Sequence, residues 1–139
     1  MSYEEKGTWV SLVVSVVVYA AYVGVVLSRA GGGPLADVAY VGPLLWSVGA
    51  AVVAATVVRT AVEIARPSES FRSDERDRDL ARRGTLAGQW GVTAGAVGAL
   101  VLALVDADAL WIANAIYLDF VAMSVTASVV TLVAYRRGV

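Results

Sequence analysis

Four apolar stretches, each long enough to cross a lipid bilayer, constrain this chain more than any other feature. They cover roughly residues 8–27, 41–58, 86–105 and 111–135. A helix needs about 20 apolar residues to span roughly 30 Å of hydrocarbon. Because backbone N–H and C=O groups in lipid must pair within their own segment, isolated runs of this length are predicted to be helices although they are rich in valine. The predicted fold class is all-α: an integral membrane four-helix transmembrane bundle, forming a single domain over residues 1–139.

The composition supports a membrane location and limits the chemistry that the side chains can perform. The 139 residues are 58% hydrophobic with a mean hydropathy of +0.70, more apolar surface than a small soluble domain can bury. The sequence has no cysteine and no histidine, which removes thiolate ligands, the usual zinc ligand and the usual general base. With no recognisable nucleophile motif either, we expect a protein that is not an enzyme, with no metal, no cofactor and no nucleic-acid partner.

The connections between the spans differ in character. Residues 31–34 read Gly-Gly-Gly-Pro, which ends the first helix in a short exposed turn. Asp106-Ala-Asp108 is a tight connection that makes helices three and four antiparallel neighbours. The charged loop at about residues 59–85 is predicted to contain a helix that runs into the third span, with Ser73 as its N-cap. Arg59 and Glu63 have the i,i+4 spacing of an ion pair.

Basic residues are distributed very unevenly across the predicted membrane. Of the eleven Lys and Arg residues, ten lie in the middle loop or near the termini, and only Arg29 lies on the other side. The positive-inside rule then predicts cytoplasmic termini and a cytoplasmic middle loop, in a multi-pass protein of the inner (plasma) membrane. Loop arginines can also contact anionic lipid headgroups or a cytoplasmic protein partner; the candidates are Arg72, Arg76, Arg78, Arg82 and Arg83.

Several short motifs carry a family resemblance. They are Tyr3-Glu4-Glu5-Lys6-x-x-Trp9, Asp74-Glu75-Arg76-Asp77-Arg78, Trp111-Ile112-Ala113-Asn114 and Tyr135-Arg136-Arg137-Gly138. With them the chain resembles a family of small uncharacterised actinobacterial four-helix membrane proteins. More loosely, it is similar to bacterial domain-of-unknown-function membrane proteins with an Asp-Glu-Arg-Asp loop. The resemblance covers nearly the whole chain and implies topology and bacterial origin, but no activity.

Helix three carries five glycines at a spacing of 4, 3, 4 and 3 residues: Gly84, Gly88, Gly91, Gly95 and Gly98. This period of 3.5 residues predicts one stripe of bare backbone. Small residues let transmembrane helices approach closely. The stripe is therefore interpreted as a packing face within the chain, and a homodimer interface is the alternative.

Asp119 is the one carboxylate deep inside an apolar stretch. An acid at mid-membrane costs roughly 2.5–3.5 kcal/mol on the insertion scale, so it is by default a candidate for function. Its predicted hydrogen-bond partners at similar depth are Tyr19, Tyr22, Ser47 and, one or two turns shallower, Asn114. One reading is a polar site that binds a small cation or passes a proton. The other is a neutral acid satisfied by one hydroxyl group.

Two hypotheses follow. The first is a noncatalytic small bacterial membrane protein of unknown role, whose charged cytoplasmic loop contacts lipid headgroups or a protein. The alternative is a small oligomeric transporter or an ion- or proton-conducting protein that uses Asp119.

Overall fold

The computed structural model describes residues 3–65, 67 and 75–137, except the side chain of Arg76. Its elements are α1 (Tyr3–Ala30), a short 3-10 helix (Leu35–Asp37), α2 (Val41–Ala65), α3 (Glu75–Leu104) and α4 (Ala109–Arg137). All four α-helices are long and apolar enough to cross a membrane. The prediction of an all-helical chain with four candidate membrane spans is therefore confirmed. Arg72, a predicted lipid or protein contact, and Ser73, the predicted N-cap, lie outside the described residues.

The four helices are longer than the apolar runs inside them. They contain 28, 25, 30 and 29 residues, and at about 1.5 Å per residue each exceeds the roughly 30 Å hydrocarbon layer. The excess is polar. α1 begins with Glu4 and Glu5 in its first turn, and α3 continues from its apolar part back to Glu75 through a highly charged stretch.

The turns after α1 and α3 lie at the same end of the molecule, and both use residues with positive φ angles. Gly31 and Gly32 follow α1 with positive φ angles of 55° and 87°, a conformation that costs glycine little. After α3, Asp106 has a φ of 51°, and the Ala107 N–H donates to the Leu102 carbonyl over 3.0 Å, as in a Schellman ending. We call this end the turn end and the opposite one, where the described chain starts and finishes, the termini end.

The helices pack in the order α2, α1, α4, α3. Within the described residues α2 packs appreciably only on α1, and α3 only on α4, while α1 and α4 pack on each other in the middle. The α3–α4 contact is the most extensive, in agreement with the predicted hairpin. The helices thus form an open row and not a closed ring.

Few side chains are buried, and many large apolar ones point outward. A small cluster of Tyr22, Val26, Val38 and Tyr117 forms a core near the turn end. By contrast, most of the surface of Trp46 (81%) and Trp90 (78%) is exposed. Such extensive apolar exposure is unfavourable in water and ordinary in lipid, which solvates apolar side chains directly.

Candidate functional site

Asp119 lies between α4 and α3, away from the tyrosines. Its half-buried carboxyl group rests directly on the backbone of Gly95. Among the described residues it forms no hydrogen bond and no salt bridge. The glycine makes the approach geometrically possible, because any side chain at position 95 would occupy the space of the carboxyl group.

A polar pair does form between α1 and α4 near the turn end. The buried Tyr22 hydroxyl donates a 2.7 Å hydrogen bond to Oδ1 of Asn114, and Nδ2 of Asn114 donates to the Leu110 carbonyl over 2.8 Å. Both polar groups of the asparagine side chain are thereby satisfied. In lipid such pairing holds helices together, at roughly 0.6 kcal/mol per interhelical contact.

Aromatic rings surround this pair. The rings of Tyr19 and Tyr22 both meet Tyr117 edge to face, with centroids 5.5 and 5.2 Å away, a favourable geometry for aromatic pairs. A cavity of about 360 Å³ opens beside Tyr19, Tyr22 and Asn114, and its remaining lining is apolar apart from the Trp111 indole. Tyr117 is not among the residues that the sequence predicted for this site. Its position one helical turn after Asn114 is the signal that could have found it.

Ser47 lies in a different place. Its buried hydroxyl donates to the Leu44 carbonyl of its own helix over 2.7 Å. The cavity that Ser47 lines lies between α1 and α2. The structure therefore brings together Tyr19, Tyr22 and Asn114. Ser47 lines a separate cavity that Tyr22 also borders, and Asp119 lies on another face of α4.

Helix geometry explains why Asp119 and Asn114 separate. They are five residues apart on α4, and at about 100° per residue their directions differ by roughly 140°. Asn114 consequently faces α1, and Asp119 faces α3. A shared depth in the membrane does not place two side chains on the same face.

The five glycines of α3 also divide between two environments. Three of them face α4. A methyl group added at Gly84 would contact Thr131 and Ala127, one at Gly88 would contact Met123, and one at Gly95 would contact Asp119. Gly91 and Gly98 have nothing within 4 Å of that added atom. Three of the glycines thus form the packing face toward α4, and the other two line an open face.

At the termini end two ion pairs join α1 to α2. Lys6 and Glu63 are 3.4 Å apart with side chains only 10% and 14% exposed, and Arg59 lies 3.8 Å from Glu4. The predicted Arg59–Glu63 pair within α2 is thus replaced by two pairs between helices. Each partner meets an opposite charge on the facing helix, which the i,i+4 spacing alone does not reveal.

The remaining arginine candidates lie near this end. Arg78, Arg82 and Arg83 are exposed on α3, and within the described part of the chain they make no salt bridge. Arg72 and the side chain of Arg76 lie outside the described residues. On α4, Arg136 lies over the ring of Trp9, with Cζ 5.9 Å from its centroid.

Comparisons with protein-family models, curated proteins and solved structures gave no match. The family resemblance noted from the sequence therefore stays a prediction. Function has to be argued from the geometry of the chain itself.

Proposed function

We propose that this chain is a noncatalytic membrane protein of the bacterial inner membrane whose termini end faces the cytoplasm and contacts anionic lipid headgroups. One observation carries the proposal: five exposed arginines at that end have no salt-bridge partner among the described residues. They are Arg78, Arg82, Arg83, Arg136 and Arg137. Basic side chains beside an anionic membrane surface contribute about 1 kcal/mol each to its attraction.

The charge distribution supports the same orientation. Only Arg29 lies at the turn end, where its guanidinium donates to the Ala39 carbonyl over 3.1 Å. It is thus occupied locally, close to the backbone of the first turn. An excess of basic residues at one end is typical of a cytoplasmic end.

The proposal is tested by measuring which lipids the protein retains. Detergent-purified protein is mixed with equal amounts of phosphatidylglycerol and phosphatidylcholine, and bound lipids are counted by native mass spectrometry. We expect the wild type to retain an excess of phosphatidylglycerol that falls as salt is raised. The triple variant Arg78→Gln, Arg82→Gln, Arg83→Gln should lose most of this excess, and Arg29→Gln should keep it.

If the triple variant retains as much excess phosphatidylglycerol as the wild type, the proposal is wrong. If the lipid excess is unchanged but a specific protein copurifies with the wild type and not with the variant, the arginines bind a protein partner instead.

A second candidate function is favoured by the environment of Asp119. A half-buried carboxyl group in the middle of a membrane-spanning helix, without a described hydrogen-bond partner, is a group that can bind a proton or a small cation. Because the described helices form an open row, conduction would require an oligomer. In proteoliposomes this candidate predicts pH-driven or cation-driven flux that Asp119→Asn abolishes, and it fails if the wild type shows no flux.

A further inference from the structure

A polar groove of about 220 Å³ lies at the termini end, where α1 and α3 flank α4. We define it by its five hydroxyl side chains and one guanidinium: Thr8, Ser11, Thr85, Ser128, Thr131 and Arg59. Its volume equals that of several water molecules at roughly 30 Å³ each. The hydroxyl groups come from three different helices, so the groove concentrates donors that no single helix supplies.

Two of the hydroxyl groups are available for a ligand. Thr8, Thr85 and Thr131 donate to backbone carbonyls, at 2.9, 3.0 and 3.4 Å. Ser11 on α1 and Ser128 on α4 form no hydrogen bond within the described residues. Both serines line the groove, and both can donate to an acceptor placed between the two helices.

Arg59 is held in position at the edge of the groove. Its guanidinium lies against the bare backbone of Gly7, where an added methyl group would come within 2.8 Å of Cζ, and it stacks over Tyr3 at 4.3 Å from the ring centroid. Its Nε is buried with no hydrogen-bond partner among the described residues. The nearest carboxylate oxygen, from Glu4, is 3.8 Å from a terminal nitrogen, too long for a good hydrogen bond.

The groove lies where the apolar runs of α1 and α3 begin. It is lined by residues 7–11 of α1 and 81–85 of α3, and in both helices the long apolar run begins beside these positions. Trp9 lies in the same stretch of α1, as aromatic residues do at a membrane interface. A headgroup phosphate beside the protein would therefore be at the height of Arg59.

We propose that this groove binds the phosphodiester of one membrane phospholipid. The guanidinium of Arg59 and the free hydroxyls of Ser11 and Ser128 donate to the phosphate oxygens, for which arginine has matching geometry. Glu4, at the edge, accepts from hydroxyl groups of the head, which favours a glycerol-bearing head such as that of phosphatidylglycerol. The site uses none of the five exposed arginines, so it is independent of the surface attraction proposed above.

The test counts lipids on the full-length protein by native mass spectrometry at raised salt, where loosely held surface lipids are lost. We expect one phosphatidylglycerol per chain to remain, also in the triple arginine variant. Arg59→Gln and the double variant Ser11→Ala, Ser128→Ala should each weaken its binding roughly tenfold, the scale of a lost hydrogen bond to a charged group. Ser28→Ala and Arg29→Gln, at the turn end, are the matched controls.

Other ligands distinguish a bound phospholipid from its alternatives. Diacylglycerol, which has the same tails and no phosphate, should not be retained, and phosphatidylcholine, whose head has no hydroxyl, should bind more weakly. Arg59→Gln also removes the ion pair with Glu4 between α1 and α2. The serine variants leave that ion pair intact, so they test the groove even if Arg59→Gln disturbs the fold. Binding that is unchanged in both groove variants overturns the proposal. Displacement of the lipid by millimolar inorganic phosphate, with phosphate then found on the protein, assigns the groove to free phosphate and overturns the lipid assignment.

Discussion

The backbone of Gly95 on α3 lies directly beneath the carboxyl group of Asp119 on α4, and a methyl group added at position 95 would overlap that carboxyl. The lack of a side chain at Gly95 therefore makes room for the Asp119 carboxyl group at the α3–α4 contact, the most extensive helix contact among the described residues. The contact also explains how a carboxylate is accommodated in an apolar helix without pointing at the lipid tails.

Gly95→Ala should force α3 and α4 apart. We expect the free energy of unfolding to fall by about 1–3 kcal/mol, the usual cost of overpacking, measured by unfolding in mixed micelles. Gly98→Ala is the matched control, because nothing lies within 4 Å of the added methyl group. Because the Cβ of Asp119 would itself overlap the added methyl group, Asp119→Gly combined with Gly95→Ala should recover part of the loss, and Asp119→Ala should not. Equal effects of the two glycine substitutions would contradict the close contact.

Tyr22→Phe should weaken the α1–α4 contact at the turn end. The substitution removes the donor to Asn114 and leaves the buried ring in place, so we expect a loss of roughly 0.5–1.5 kcal/mol. Tyr19→Phe is the control within the same ring cluster, since the Tyr19 hydroxyl makes no hydrogen bond among the described residues. Thermal unfolding of the purified variants measures both, and an equal or larger loss at position 19 would contradict the importance of the Tyr22–Asn114 hydrogen bond.

Tyr135→Phe should loosen the termini end. Its hydroxyl donates a 2.6 Å hydrogen bond to Oδ1 of Asp77, which ties the end of α4 to the beginning of α3. Loss of a half-buried hydrogen bond should cost about 1 kcal/mol. Hydrogen exchange of amides near residues 75–80 should become faster. Tyr40→Phe, at the turn end, should leave these amides unchanged, and unchanged exchange in Tyr135→Phe would show that the bond is unimportant.

The proposed orientation can be tested by thiol labelling, because the chain has no cysteine of its own. Ala36→Cys places one thiol at the exposed turn end, and Arg137→Cys places one at the termini end. An impermeant maleimide added to intact cells or spheroplasts should label Ala36→Cys at once and Arg137→Cys only after lysis. The reverse pattern would place the termini outside and remove the basis for cytoplasmic lipid contact.

Much of the fold follows from local patterns along the chain. Apolar runs of about 20 residues predict the helices, because lipid leaves the backbone no other way to pair its polar groups. The Gly-Gly-Gly-Pro turn and the short Asp106–Asp108 connection predict where helices end. The candidate site is harder to predict from the sequence. Tyr19, Tyr22 and Asn114 do come together as predicted, but Tyr117 joins them, and Ser47 and Asp119 lie elsewhere.

The sequence alone was sufficient for the number and lipid-facing character of the helices, because these depend on the composition of each segment. The tertiary structure decided which residues face each other: Asp119 with Gly95, Arg59 with Glu4 and Gly7, and three of the five α3 glycines with α4. Those choices depend on the order of the helices, on their rotation and on their crossing. A small rotation about a helix axis changes every neighbour, and it leaves the apolar pattern along the chain unchanged.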